Sequence, residues 1–516
     1  MSEPTGLPTT VEPLDAWSPV HPAALALSRG ELHLPRSSRA GGRRSPALAQ
    51  ALADRHRMWG LDVDRQLDEW LAGAEVVVTG QQPGLLGGPL LTLVKACAVS
   101  AEVARLRRAG HRAVGFLWLA TADDDLPEMG WGRIAVGEGV VECRETAWRR
   151  GDSVGGVATV GTECARLLDS LDGRLSGESG REAVDLAREC FKPGSHLGDA
   201  AGRFLGRLLR DTGVVLVDAT TGELARAGAA AVEAVLTRLP VAWEALHDGT
   251  ADMVRRGWTA PLRVTPATLP LFAFDGTRRH RVATHAGACP AERLAEFRRD
   301  PTRFLPNAWV RPLVQDAVLD TSVSMLGGAE LAYHLQCLAN WEIAGVRRPE
   351  WRLRPHVTVV CAAERRLAAQ LQVGPEVLLR AKLPEHLLGG GKTRRAMRHL
   401  VNALESRLGA VESAAGHELP ALRGDLDATR KRIASGLQWL EQRIETASAK
   451  SAEVDAARWS RLRAFLRPNG RPQERELSVL APLLKLGLDW PAQLAEVVDP
   501  GHPGNHLLFW KEGGAW

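Results

Sequence analysis

The sequence predicts an α/β fold with a parallel sheet, followed by a long helical hairpin or coiled coil. A β-branched run at 75–79, a glycine-rich loop at 80–88, a helix and a second strand at 114–119 make one βαβ unit. Leucine and isoleucine then recur every three or four residues between Leu419 and Ile444, apart from one skipped turn, with polar and charged residues on the other faces. A helix that merely packs on its own domain would show the same spacing.

The remaining elements follow in chain order around this unit. Apolar spacing predicts one or two helices in residues 46–72, after an irregular arm rich in Pro, Ser and Gly. A third strand is predicted at Val214–Asp218, and a hairpin around the Asp275–Gly276 turn. Residues 310–347 are expected to alternate turns and helices, and His506–Trp510 is a candidate edge strand.

These elements suggest four parts. We expect an N-terminal arm and helices (1–72), a parallel-sheet core with insertions (73–360), a helical coiled coil (361–460) and a C-terminal segment that packs back on the core (461–516).

Composition limits the classes of function. The chain has 516 residues and a formal net charge of +4, too small for a protein that coats nucleic acid. Its seven cysteines form no C-x-x-C pair, so neither a disulfide framework nor a structural zinc site is expected. The sequence shows no signal-peptide pattern and no apolar run of about 18 residues, so we expect a cytoplasmic protein without a membrane partner. Eight of the 65 basic residues are lysine and one residue is tyrosine, which draws attention to Lys95 and Tyr333.

The glycine-rich loop joins the first strand to the helix and reads T-G-Q-Q-P-G-L-L-G-G-P from Thr79 to Pro89. The free N–H groups of a helix N-terminus attract phosphate or carboxylate, and open α/β sheets bind ligands at the carboxyl ends of strands. The loop has neither the Walker nor the G-x-G-x-x-G pattern. It is either a ligand-binding loop, to which Gln81 and Gln82 add side-chain amides, or a tight structural turn. Lys95, about two helical turns further on, either reaches this loop or lies on the surface.

Three consecutive carboxylates, Asp123 to Asp125, follow the next strand. At the carboxyl end of a strand such a group can hold Mg²⁺ with a nucleotide, or a substrate amine. The same residue types also form loops and helix N-caps, and the sequence leaves these alternatives open.

Two polar sets lie further along the chain at helical spacing. They are Asn307, Arg311 and Gln315 at intervals of four, then Glu330, Tyr333 and Gln336 at intervals of three. Polar stripes of this kind either line a site or face solvent.

Taken together and in this order, these blocks resemble the cysteine ligases of bacillithiol biosynthesis, the BshC family. The family loop T-G-Q-Q-x-G-L-x-x-G-P-L-x-T-x-x-K fits Thr79–Lys95 without a gap, and the block W-I-A-x-E-D-H-D aligns with Trp118–Asp125. The blocks N-x-x-x-R-P-x-x-Q-D and G-P-x-E-x-A-Y-x-x-Q align with Asn307–Asp316 and Gly327–Gln336. A late P-Q-E-R matches Pro472–Arg475, so the resemblance spans most of the chain.

The resemblance implies a Rossmann-like core with connecting insertions and an α-helical coiled coil that supports a homodimer. It also implies the last step of bacillithiol synthesis, in which the cysteine carboxylate is joined to the amine of glucosaminyl-malate. A free carboxylate does not form an amide at neutral pH without activation, so ATP, with or without Mg²⁺, is the expected driver. Cysteine and glucosaminyl-malate are the expected partners, and nucleic acid is not.

The resemblance and the residue types together select the candidate site. The candidate catalytic residues are Gln81, Gln82, Lys95, Asp123 and Asp125. The candidate substrate-binding residues are Thr79, Gly80, Gly84, Gly88, Asn307, Arg311, Gln315, Glu330, Tyr333 and Gln336. Gln81 and Gln82 would cradle an anionic group, and Lys95 would neutralise developing charge. Arg311 would bind a carboxylate with its planar fork, and Glu330 would hold an amine or a metal.

The sequence departs from the family pattern within one block, where Ala122 and Asp124 replace a Glu and a His. The missing His removes a candidate general base or substrate contact. Gly328 also replaces the Pro of the G-P-x-E block. The alternative function is therefore a diverged or catalytically silent relative that binds a nucleotide or a different substrate and acts as a dimeric scaffold.

Overall fold

The computed structural model describes residues 9–16, 19–34, 42–174, 177–263, 266–371, 373–374, 377, 379, 391–449 and 453–510. The chain divides into two compact units. The first consists of Met1–Ala135, Val140–Cys361 and Arg471–Trp516, and the second of Val136–Gly139 and Ala362–Gly470. The four-part division expected from the sequence, with breaks after 72, 360 and 460, stays a prediction.

Strands and helices alternate through most of the first unit. The strands among the described residues are β1 (Thr9–Glu12), β2 (Glu75–Gln81), β3 (Ala113–Leu119), β4 (Trp131–Val136), β5 (Gly139–Arg144), β6 (Val214–Asp218), β7 (Thr268–Phe274), β8 (Arg279–Ala283), β9 (Phe304–Pro306), β10 (Val323–Leu326), β11 (Glu350–Leu353), β12 (His356–Val360) and β13 (Asn505–Phe509). The α-helices of the first unit are Pro22–Ser28, Pro46–Met58, Asp64–Leu71, Leu91–Arg108, Leu126–Met129, Glu163–Leu171, Glu178–Cys190, Leu197–Leu209, Gly222–Thr237, Leu239–Arg255, Ala291–Arg299, Arg311–Leu319, Gly328–Gln336, Asn340–Ala344, Gln473–Glu476, Leu480–Leu486 and Trp490–Val497.

Five parallel strands form the central sheet in the order β11–β10–β2–β3–β6. Every residue of β3 is buried, as expected for a parallel strand with both faces covered. The chain runs from β2 through β3 to β6 and then returns to the other side of β2 with β10 and β11. The strand order therefore reverses between β2 and β10, and open α/β sheets bind ligands at the carboxyl ends of strands beside such a reversal. The predicted α/β fold with a parallel-sheet core is confirmed.

The helix of the predicted βαβ unit, Leu91–Arg108, packs closely against the sheet. A Cβ atom at Gly115 of β3 would lie 2.7 Å from Val99 Cγ1 on this helix. Glycine therefore sets the distance between helix and sheet, because a larger side chain at Gly115 would push the two apart.

A second sheet contains strands from both ends of the chain. β13 lies between β1 and β12, antiparallel to β1 and parallel to β12. The prediction of His506–Trp510 as an edge strand was wrong, because β13 has a strand on each side. The second neighbour is β1, which lies in an arm that we expected to be irregular. Gln473 Oε1 accepts from Val359 N at 2.8 Å and Glu474 Oε2 accepts from Val357 N at 3.1 Å. The C-terminal residues are thus fastened directly to β12.

The antiparallel hairpin predicted around Asp275–Gly276 is formed by β7 and β8, and β9 pairs with the other side of β7. The expectation of only turns and helices in residues 310–347 was wrong, because this stretch contains β10. A strand of four residues, Val323–Leu326, is too short to display a clear period in the sequence.

The second unit is helical, which confirms the predicted coiled-coil region. Its α-helices among the described residues are Ala362–Gln370, Gly391–Glu418, Arg423–Ala449 and Glu453–Leu466. Arg430 on the third helix pairs with Glu412 on the second at 2.9 Å, so these two long helices lie side by side. Within the described residues, no helix has the length and apolar content needed to cross a membrane.

Candidate functional site

Side chains that follow three strands meet at the carboxyl edge of the central sheet, beside the reversal of strand order. Gln81 ends β2, Asp123 lies shortly after β3, and Glu330 lies shortly after β10. The strands are parallel, so residues far apart in the sequence reach the same edge. Lys95 contacts both Gln81 and Glu330 there, and we call these three residues the lysine cluster.

Lys95 is the centre of the lysine cluster, and its side chain is only 4% exposed. Its Nζ donates to Gly80 O at 2.7 Å, to Gln81 Oε1 at 2.9 Å and to Glu330 Oε1 at 2.9 Å. These partners use all three donors of the ammonium group. The surface alternative for Lys95 is therefore wrong. The side chain reaches the loop, but it holds the loop and Glu330 in place rather than presenting a free charge.

Glu330 is the acidic partner of Lys95. Its second oxygen accepts from Gly327 N at 2.7 Å, in the turn that begins the helix Gly328–Gln336. Burial alone would raise the pKa of Glu330, but Lys95 and this N–H group outweigh it and hold the pKa below its usual value. Burial lowers the pKa of Lys95, and Glu330 opposes that change. Both oxygens of Glu330 and all three donors of Lys95 have hydrogen-bond partners, as the members of a buried ion pair require.

Arg311 and Tyr333 stand next to the lysine cluster. Arg311 donates to the Tyr333 hydroxyl at 2.7 Å, and burial raises the pKa of Tyr333. A Cβ atom at Gly80 would lie 3.7 Å from the Arg311 guanidinium and 3.8 Å from Gln315 Oε1. Glycine at position 80 thus leaves space beside both side chains. The structure brings these predicted residues together.

Three other predicted binding residues are used for structure. Thr79 Oγ1 donates to Met325 O at 2.8 Å and so ties β2 to β10. The Gln336 amide binds both backbone groups of Leu262 and the Thr250 hydroxyl, which satisfies it away from the lysine cluster. Asn307 Oδ1 accepts from Trp309 N and Val310 N in the turn before the helix Arg311–Leu319, although Asn307 also borders the cavity beside Asp123.

The second half of the glycine-rich loop is a buried turn. A Cβ at Gly84 would lie 2.7 Å from Gly88 Cα, so these two glycines allow one backbone segment to pass against another. The N-terminus of the following helix is covered, because Leu90 N donates to Leu477 O at 2.7 Å and Val479 N donates to Gly88 O at 3.0 Å. The expectation of an open phosphate site at this helix end was therefore wrong. The predicted binding residues Gly84 and Gly88 shape the turn, and only the first half of the loop faces the site.

The carboxylates after β3 are held by arginines. Arg279 donates to Asp123 at 2.8 Å and to Asp124 at 2.5 Å, and Arg150 pairs with Asp125. Within the described residues, no group of three or more His, Cys, Asp or Glu side chains is arranged to hold a metal ion. Asp123 also accepts from Gln82 Nε2 at 2.5 Å. Asp123 therefore bridges the loop after β2 and the β7–β8 hairpin.

A cavity of about 440 Å³ opens beside this bridge, between the end of β3 and the β7–β9 sheet. Arg279 and Arg311 line it together with the indoles of Trp118, Trp243 and Trp309. Within the described residues, Arg279 Nε and these three indole nitrogens are buried donors without a hydrogen-bond partner. These four atoms are enclosed by protein, so a ligand in the cavity would meet the charge of the two guanidinium groups, which suits carboxylate or phosphate oxygens.

Sequence reasoning did not identify Arg279 or Arg150 as members of the site. Arg279 is placed there by the hairpin that was predicted from the Asp275–Gly276 turn, but nothing in the sequence indicates which core residues the hairpin covers. Its position is known only once β7 to β9 are seen beside the end of β3.

Comparison with known proteins agrees with this architecture. The family model "Bacillithiol biosynthesis BshC, N-terminal Rossmann-like domain" matches residues 33–355, which is more than half of the chain. The chain belongs to the BshC family. A second model, "Bacillithiol biosynthesis BshC, C-terminal coiled-coil domain", matches residues 394–510. The Rossmann-like core and the coiled coil expected from the resemblance are confirmed, and the family places the chain in bacillithiol biosynthesis.

Relatives of similar length support the assignment to the BshC family. The chain is 27% identical to a protein of Solibacter usitatus, with 83% of each chain covered, and 26% identical to one of Salinibacter ruber, with 84% of this chain and 83% of that one covered. It is 24% identical to a protein of Carboxydothermus hydrogenoformans, with 87% of each covered. All three are named "Putative cysteine ligase BshC", so the BshC relatives are ligases by name. A methionyl-tRNA synthetase structure of Mycobacterium tuberculosis, 11% identical, covers 83% of this chain and 92% of its own at a TM-score of 0.23, which supports no further statement.

Two of the three departures from the BshC pattern lie at or next to the cavity. Ala122 borders it with a small apolar side chain, and Asp124 is the second carboxylate that holds Arg279. The residue that replaces the family His thus fixes an arginine at the site. It does not offer a neutral base there.

Proposed function

We propose that this chain joins the carboxyl group of cysteine to the amine of glucosaminyl-malate and uses ATP to drive amide-bond formation. The observation that supports this most strongly is the buried lysine cluster at the reversal of strand order, next to Arg311 on the wall of a cavity, in a chain of the BshC family. Each substrate of the proposed reaction carries carboxylate or phosphate oxygens, and these match the positive charge of Arg279 and Arg311 on the cavity wall.

Activation of the carboxylate is the step that requires ATP. The carboxylate oxygen forms a bond to a phosphorus atom of ATP, and either pyrophosphate or ADP leaves. The amine nitrogen then forms the C–N bond as the C–O bond to the phosphate group breaks. Because the N-terminus of Leu91–Arg108 is covered by Leu477, the nucleotide phosphates would bind at the cavity rather than at that helix end.

The test is a reaction of purified protein with ATP, cysteine and glucosaminyl-malate, read by mass spectrometry. We expect the mass of bacillithiol together with AMP or ADP, and no product when any one component is omitted. Lys192 is exposed, so Lys192→Met serves as the matched control for Lys95→Met. Lys95→Met should lose most of the turnover, and equal turnover of the two variants would contradict a role for the lysine cluster.

A second candidate function is supported by Ala122 and Asp124, which replace two polar residues of the family pattern. In that case the chain binds a nucleotide or another amine and acts as a dimeric scaffold. Absence of bacillithiol together with a thermal shift by ATP would support a different substrate. Absence of both product and shift would support the scaffold.

We also propose a homodimer through the long helices of the second unit, in the cytoplasm where cysteine and ATP are available. Several large apolar side chains of these helices and their connection are solvent-exposed in the single chain. They are Leu400, Val411, Leu419, Leu422, Trp439 and Leu440. A coiled-coil contact with a second copy would bury such a surface.

A further inference from the structure

Two consecutive glutamines at the end of β2 have their amide groups held in opposite directions. Gln81 accepts a hydrogen bond from Lys95 Nζ at 2.9 Å, and Gln82 donates one to Asp123 Oδ2 at 2.5 Å. An ammonium group has only donors and a carboxylate has only acceptors. Lys95 therefore selects the oxygen of the Gln81 amide, and Asp123 selects the nitrogen of the Gln82 amide.

The groups that remain for a ligand are consequently different at the two positions. Gln81 offers its Nε2 donors, whereas Gln82 offers its Oε1 acceptor. The nearby Glu128 carboxylate, whose pKa the Gln82 amide lowers, favours the same orientation of the Gln82 nitrogen. Both glutamine side chains are partly exposed at the carboxyl edge of the sheet. An amide donor and an amide acceptor thus stand next to each other at the site.

The partners that orient the amides are themselves fixed. Lys95 is held by Gly80 O and Glu330 as well as by Gln81. Asp123 is held by Arg279 at 2.8 Å and by the N–H group of Asp124 at 2.8 Å. Rotation of either amide by half a turn would place two donors or two acceptors against each other at positions that are partly shielded from water, which is unfavourable.

We infer that Gln81 binds the acyl oxygen of the carboxyl substrate and that Gln82 binds the attacking amine, with Lys95 and Asp123 as positioning residues. This inference rests on the proposed function, because an amide-forming reaction needs one reactant of each kind. The Gln81 donor stabilises the oxygen as negative charge develops on it. The Gln82 acceptor aligns an N–H of the amine while the C–N bond forms, the C–O bond to the phosphate group breaks and the amine proton passes to water.

The experiment measures the KM of each substrate in two positioning variants. Lys95→Met frees the Gln81 amide to rotate, so the KM for cysteine should rise about tenfold while the KM for glucosaminyl-malate stays within about twofold. In Asp123→Asn the new side-chain amide can either accept from Gln82 Nε2 or donate to Gln82 Oε1, so the Gln82 amide is free to rotate. It should raise the KM for glucosaminyl-malate about tenfold and leave the KM for cysteine nearly unchanged.

Additional variants separate orientation from folding. Gln81→Glu keeps a partner for Lys95 but removes the amide donors, and it should reproduce the cysteine-specific defect even where Lys95→Met folds poorly. Lys192→Met and Asp185→Asn replace exposed residues of the same types and should change neither KM; the Asp185 side chain is 72% exposed.

Calorimetric titration of each substrate into the same proteins gives a readout that does not require turnover. Opposite, substrate-specific losses in the two positioning variants support the inference, even if the unmodified protein forms no product and the proposed ligation fails. Equal losses for both substrates in both variants overturn the inference and leave the ligation standing. Failure of the unmodified protein to bind either substrate overturns both.

Discussion

Glu474 lies at the centre of a buried charge network, and its replacement by Gln is the sharpest test of what the late P-Q-E-R block does. Its two oxygens accept from Arg354 at 2.8 and 3.1 Å, from His356 Nδ1 at 2.9 Å and from Val357 N at 3.1 Å. The side chains of Glu474 and Arg354 are each 1% exposed. Burial alone would raise the pKa of Glu474, but Arg354 and His356 hold it well below its usual range.

The expected cost follows from leaving Arg354 buried without its counter-charge. Removal of one member of a buried ion pair costs about 3–5 kcal/mol in the free energy of unfolding. Glu474→Gln keeps one acceptor oxygen, so we expect a loss of about 3 kcal/mol, measured by urea denaturation followed by tryptophan fluorescence.

The control for this variant comes from the same segment. Arg471 pairs with Glu476 at 3.2 Å, but its side chain is 73% exposed. Arg471→Ala should therefore cost less than about 1 kcal/mol. If the free energy of unfolding of Glu474→Gln lies within about 1 kcal/mol of that of the unmodified protein, the network does not fasten the C-terminal residues to β12 and this reasoning fails.

Three further predictions concern other parts of the molecule. Burial raises the pKa of Asp316 to about 7, so the folded state keeps a proton that the unfolded chain releases near pH 4. The free energy of unfolding should therefore fall by up to about 4 kcal/mol between pH 4 and 7, and Asp316→Asn should remove that slope in urea titrations. Gly84→Ala should lower stability by about 1–3 kcal/mol because its Cβ meets Gly88, whereas Gly409→Ala, on an open helix surface, should not destabilise. Sedimentation should give about twice 55.8 kDa for the unmodified protein and less for Leu437→Asp, and a monomeric unmodified protein would contradict the proposed dimer.

The parts of the fold that were predicted correctly are those with a local signal. Apolar residues repeat over many positions in the strand and helix of the βαβ unit and in the helices of the second unit. Such a period can be recognised without knowledge of the tertiary structure. By contrast, β10 has four residues, and β13 was placed at an edge because its outer partner lies about 490 residues away in the sequence. Pairing over that distance leaves no trace in either segment alone.

The candidate site was predicted in part for a related reason. The resemblance selected Lys95, Gln81 and Glu330, and the structure brings them into contact. The orientation of the Gln81 amide could not be predicted, because it depends on Lys95, which is held by a carboxylate 235 positions further along the chain. The contact by which Leu477 covers the N-terminus of the helix Leu91–Arg108 also joins residues far apart in the sequence. The sequence of the loop alone therefore suggested an open anion site.

The second sheet also has a consequence for how the protein is made. Its middle strand, β13, is among the last described residues to leave the ribosome, and β1 is among the first. Until β13 emerges, β1 has no strand to pair with and β12 lacks its neighbour. The sheet therefore cannot close before residue 509 has been synthesised, and its long-range pairing should make this a slow, late step of folding. A chain that stops before residue 505 would expose the edge of β12 and leave β1 unpaired, which marks it for degradation or aggregation.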